Sequence, residues 1–166
     1  MNKMPEPIVV LNVPLKPFLK KYLTHKFGDS HRVSRTSFLG SYLIDLLDKK
    51  YRKSNVTMGK EHSYPLEVPH SVVHRVGFDI SPVKLKHLAE MIYKVFLNDM
   101  YSYIDVSIGN ELVVINKQHD SINKQNIVKA ISQFLKFFDI KEDEISSDTL
   151  YRSYNRSLKT DKVSKS

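Results

Sequence analysis

The chain has 166 residues, 41% of them apolar and 27% charged, with a formal net charge of +8; this composition suits one compact domain or two small ones and excludes wholesale disorder. It contains no Cys, which excludes disulfides, thiolate zinc sites and thiol nucleophiles. The charge is local: residues 1–60 carry 12 Lys/Arg against 4 Asp/Glu, residues 61–120 carry 5 against 8, and residues 121–166 carry 9 against 6.

Pro7 to Pro14 is β-branched and bounded by prolines, which predicts one short strand. Pro17 then opens a helix in which Phe18, Leu19, Tyr22, Leu23 and Phe27 recur at helical spacing, and Gly28 stops it. Asp29 to Arg35 reads as a polar loop. Ser37, Phe38, Tyr42, Leu43, Leu46 and Leu47 predict a second helix running to about Tyr51, followed by a basic linker.

Leu66-Glu67-Val68-Pro69 repeats the pattern of Leu11-Asn12-Val13-Pro14. A short helix at Ser71 to Val76, a break at Gly77 and a helix opened by Ser81-Pro82 follow it. Each half thus reads strand, helix, loop, helix, the mark of an internal duplication. Asn98 to Ile115 fits an interrupted helix better than short strands. Ile127, Ala130, Ile131, Phe134, Leu135 and Phe138 predict an amphipathic helix, and Ser147 to Leu158 a last one. The expected organisation is a basic unit over 1–60, a second unit over 61–117, a C-terminal helical segment over 118–160 and a frayed tail over 161–166. The expected fold is mainly α, with a short two-stranded antiparallel ribbon.

The first unit resembles a ribbon-helix-helix DNA-binding module, with Ile8 to Val13 as the ribbon strand, Leu15 to Phe27 as the first helix and Ser34 to Leu39 opening the second. A second copy over Ser63 to Leu97 makes the chain resemble a tandem pair whose two strands associate within one molecule. The resemblance implies that the second helix's N-terminus holds a phosphate, and Arg35 and Ser37 occupy the matching place. Strand alternation, however, turns Ile8, Val10 and Asn12 outward, with Pro65 and Glu67 on the second strand, and only Asn12 among these suits base edges.

A separate candidate lies at the C-terminus. Asn126 to Phe138, a turn of helix at Lys141 to Ile145, and Ser147 to Lys159 have the spacing of a helix-turn-helix. Arg152, Asn155, Arg156 and Lys159 would then face one groove, with Tyr151 and Tyr154 near the DNA backbone. Asp143, Glu144 and Asp148 at the front of that helix complement its dipole but oppose phosphate. Lys16, Lys20, Lys21 and Lys26, with Lys49, Lys50, Arg52 and Lys53, form a patch for phosphates irrespective of sequence.

His70 and His74 lie four apart, near His62 and His87, yet no HExxH or other ligand spacing accompanies them. With no Gly-rich phosphate loop or GxSxG either, neither a cofactor nor enzymatic activity is expected. The N-terminal apolar run Ile8 to Leu11 is too short for a signal or membrane segment, so a cytoplasmic protein with no membrane partner is expected. The function expected is a small DNA-binding protein, a transcription regulator or accessory factor of a phage or mobile element, able to form homo-oligomers. The alternative is a structural or assembly protein that binds protein partners through its basic faces or strand edges.

Overall fold

A computed structural model describes residues 7–47, 62–77, 80–109 and 120–163, mainly helical with one small sheet. Two compact units divide the chain, Met1–Tyr93 and Lys94–Ser166. Among the described residues no helix is long and apolar enough to cross a membrane.

In the first unit, strand β1 (Ile8–Pro14) alternates as expected, burying Leu11 and Val13 while Ile8, Val10 and Asn12 face solvent. Helix α1 (Pro17–Phe27) starts at the predicted proline and buries Phe18, Leu19, Tyr22 and Leu23. It ends on Gly28, whose φ of 88° is open to glycine and whose N–H donates to the Thr24 carbonyl at 2.8 Å. A two-residue strand β2 (His31–Arg32) follows, then helix α2 (Phe38–Leu46), which buries Leu39, Leu43 and Ile44. Strand β3 (Ser63–Pro69) buries Tyr64, Leu66 and Val68, helix α3 (His70–Val76) ends on Gly77 at φ 92°, and Ser81 caps helix α4 (Pro82–Gly109).

β3 is the middle strand. β1 pairs with it antiparallel, in a register that sets Leu11 against Leu66 and Ile8 against Pro69, while β2 joins its other side in parallel. The sheet is therefore three-stranded and mixed, not the two-stranded antiparallel ribbon that the sequence predicts. The physical reason is Val33: it is 1% exposed and its N–H donates to the Glu67 carbonyl at 2.8 Å, which draws His31 and Arg32 alongside β3. The Leu15 N–H donates to the His62 carbonyl at 2.8 Å and the His70 N–H to the Pro7 carbonyl at 2.9 Å. These bonds fix the phase of the ladder: odd-numbered residues of β1 turn their backbone groups toward β3, and Ile8, Val10 and Asn12 turn theirs away.

Helix α2 is shorter than predicted. Leu47 is already extended, at φ −71° and ψ 141°, and the Lys84 ammonium donates to the Leu46 carbonyl at 2.9 Å, satisfying one of the acceptors that a helix end leaves open. Gly40 in this helix has a steric cause: a Cβ there would lie 2.3 Å from the Ser34 carbonyl oxygen.

α4 settles the ambiguous stretch from Asn98 as helix as far as Gly109; residues 110–115 lie outside the described residues. In the second unit Phe96, Met100, Ile104 and Ile108 form its buried stripe. Helix α5 (Asp120–Phe137) adds Ile127, Ala130, Ile131, Phe134 and Leu135, and helix α6 (Ser147–Val163) adds Leu150 and Tyr154. Rings of Phe96 and Phe134 meet edge to face at 5.6 Å. α5 closes in a Schellman motif, with the Ile140 N–H donating to the Leu135 carbonyl at 2.9 Å and the Asp139 N–H to the Lys136 carbonyl at 3.1 Å. Asp139 takes the left-handed position, at φ 53°.

Candidate nucleic-acid interface

The basic side of α1 follows from its amphipathicity. Phe18, Leu19, Tyr22 and Leu23 bury one face, which leaves Lys20 and Lys21 half-buried at the flanks of the opposite face and Lys16 exposed at the N-cap. Between Lys16 and Gly28 no acidic residue intervenes. Lys26 differs: its ammonium donates to the Tyr22 hydroxyl at 3.2 Å and lies over that ring.

Arg35 and Ser37 stand where α2 begins. Arg35 is exposed beside Ser41, Ile44 and Asp45, at a shallow groove that also contains this carboxylate. The Ser37 hydroxyl accepts from the Gly40 N–H at 3.1 Å, donates to the Ser34 carbonyl at 3.1 Å, and lies 3.2 Å from His31 Nε2. Its hydrogen bonds thus close the loop around α2's start. His31 packs on Phe27 at 4.8 Å between ring centres, and burial lowers its pKa. Lys49, Lys50, Arg52 and Lys53 lie outside the described residues.

The outer face of the sheet is a poor surface for bases. Ile8, Val10 and Asn12 face outward opposite Pro69, Glu67 and Pro65. Glu67 accepts from the Ser30 hydroxyl at 2.5 Å, and Arg32 is its register neighbour on β2.

On α6, Arg152 and Arg156 are exposed and Asn155 is half-buried, spaced as one side of a helix; Lys159 falls in the same helix, its side chain outside the described set. Arg152 pairs with Asp148 at 2.8 Å. The front of α6 is held by acids and hydroxyls of its own chain. Glu142 accepts from the Ser147 N–H at 2.6 Å and from its hydroxyl at 2.7 Å, and the Ser146 hydroxyl accepts from the Thr149 N–H at 3.2 Å. Glu142 thereby supplies the negative charge that the helix dipole favours.

The two tyrosines expected near a DNA backbone differ in position. Tyr154 belongs to the core: it is 5% exposed and its hydroxyl donates to Asp105 at 2.5 Å. Burial, then the bond to Asp105 and its charge, raises the pKa of this phenol. Tyr151 is half-buried, with the Lys124 ammonium over its ring. The Tyr101 ring meets that of Tyr154 at a tilt of 55°, 5.6 Å between centres, and its hydroxyl lies 2.7 Å from that of Ser153. Tyr103 instead lines an open cleft of about 340 Å³ with Asp99, Ser102, Phe134, Phe137 and Phe138.

The rings of His70 and His74 are 6.2 Å apart, and among the described residues no group of three or more His, Asp or Glu is placed to hold a metal ion. Comparison with protein families, with curated proteins and with solved structures finds no match.

Proposed function

We propose that this chain binds double-stranded DNA, holding phosphates through the basic side of α1 and contacting bases with α6. The observation that supports the proposal is the sequence of α1, which from Lys16 to Gly28 holds Lys16, Lys20 and Lys21 outside its buried face and contains no acidic residue. Arg35, before the start of α2, is a further exposed cation, and Arg152, Asn155 and Arg156 supply side chains suited to base edges. In this proposal the ribbon itself does not enter the groove, because Ile8, Val10, Pro65 and Glu67 occupy its outer face.

Titration of labelled duplex DNA at two salt concentrations tests the proposal. Binding is expected to weaken steeply with salt, with a logarithmic slope of about −0.9 for each phosphate neutralised. Combined Lys20→Glu and Lys21→Glu should weaken all sequences alike, and Arg156→Ala should chiefly weaken a preferred site. No binding to duplex DNA at low salt would overturn the proposal.

A further inference from the structure

We propose that the cleft formed by α4 and the end of α5 in the second unit binds a small molecule bearing a methylated ammonium group. Tyr103, Phe134, Phe137 and Phe138 line this cleft of about 340 Å³ together with Asp99 and Ser102, and that volume is near the lower end of those that hold small ligands. Phe134 is 4% exposed and belongs to the core, whereas Phe137 and Tyr103 are 64% and 39% exposed. The cleft therefore offers solvent two large rings that the core does not use.

The rings select the shape of the occupant. Tyr103 and Phe134 meet at 50°, Phe134 and Phe138 at 60°, and Phe137 and Phe138 at 90°, with centres 4.9–5.7 Å apart. Walls inclined in this way do not form the parallel slot in which a flat base or a guanidinium plane is stacked on both sides. A compact, rounded group touches several of them at once.

Electrostatics selects the charge. Among the described residues that line the cleft, Asp99 alone is ionised at neutral pH. Phe134 and Phe137 stand in the last turn of α5, where the helix dipole is negative, and Phe138 follows them. The nearby Lys136 lies two positions from Phe134 and so on another side of that helix. Aromatic faces are themselves negative, and they attract a cation that gives up its water easily. A bare ammonium is strongly hydrated and carries three donors to satisfy. Methylation replaces those donors with apolar surface, which suits walls made mostly of rings.

Isothermal titration calorimetry of the full chain with choline tests the proposal, and the neutral isostere 3,3-dimethylbutanol is the control. Nucleic acid is absent from the experiment, so its outcome is independent of DNA binding. Choline is expected to bind roughly tenfold tighter than the isostere, the share that charge contributes over aromatic faces. Phe137→Leu and Tyr103→Leu keep apolar bulk but remove a ring; each should weaken choline several-fold and leave the isostere unchanged, with circular dichroism like the parent's. Asp99→Asn should act in the same direction. The comparison of choline with its isostere needs no variant and decides the matter if a variant fails to fold. Absence of choline binding, equal affinity for the isostere, or folded leucine variants that bind choline as the parent does would each overturn the proposal. Tighter binding of a trimethyllysine peptide than of choline would overturn the assignment to a free small molecule.

Discussion

Leu11 pairs across the sheet with Leu66, the residue that holds the same place in the second copy of the Leu-X-Val-Pro pattern. The ribbon is therefore symmetric in sequence as well as in hydrogen bonding, since Val9 and Val13 meet Val68 and Tyr64 on either side of that pair. The register thus sets the two copies of the pattern antiparallel, each Leu against the other. Beyond the strands the likeness continues: α1 and α3 both end on a glycine with φ near 90°, and α2 and α4 both begin at a serine whose hydroxyl accepts from the N–H three residues on.

Truncation at the centre of this symmetry should be costly. Leu66 is fully buried, and Leu66→Ala is expected to destabilise by about 2–5 kcal/mol through lost burial and the cavity left behind. Leu11, nearer the free edge, should lose less. Urea unfolding of the two variants measures the difference.

Gly28→Ala separates backbone strain from crowding. No atom lies within 4 Å of a Cβ built at this position, yet its backbone stands at φ 88° and ψ −170°. That region is essentially confined to glycine, so the substitution should cost roughly 1–3 kcal/mol with no steric clash. A melting temperature equal to the parent's would contradict this.

At Asp139 the opposite change is expected. It occupies the left-handed position of a Schellman motif at φ 53°, and Asp139→Gly should stabilise by about 0.5–1 kcal/mol as the strain relieved outweighs the added freedom of the unfolded chain. Thermal unfolding followed by circular dichroism checks the sign.

Tyr64 predicts an alkaline limit to stability. Its hydroxyl donates to the Gly28 carbonyl at 2.9 Å, and burial, aided by the charges of Asp29 and Glu67, pushes its pKa from 10.0 up to about 12. The folded chain thus holds this proton more tightly than the unfolded chain. The stabilisation is complete below pH 10 and is lost as the pH rises toward 12. Unfolding free energies across that window should fall, and Tyr64→Phe should flatten part of the slope, with Tyr154 contributing the rest.

The parts of the fold legible in the sequence are those that local chemistry dictates. Pro17 and Gly28 bound α1 as read, Ser81 and Pro82 open α4, and the repeated Leu-X-Val-Pro marks both long strands. β2 escaped because two residues carry no periodicity and are ordered by Val33 bonding to Glu67, 34 residues away. The end of α2 escaped for a similar reason, since its Leu46 carbonyl meets Lys84 from α4. At the candidate interface, helical spacing was enough to place Lys20 and Lys21 away from the core. Spacing also put Tyr154 at the proposed DNA backbone, whereas its partner Asp105, 49 positions earlier, holds it in the core.

The paired glycine stops have an evolutionary corollary. A relative that has drifted beyond recognition by overall similarity could exchange its apolar residues for others of like volume more cheaply than Gly28 or Gly77, whose backbone angles strain any side chain alike. Together with Gly40, pressed against Ser34, these positions form a sparse fingerprint by which distant kin of this chain can be sought.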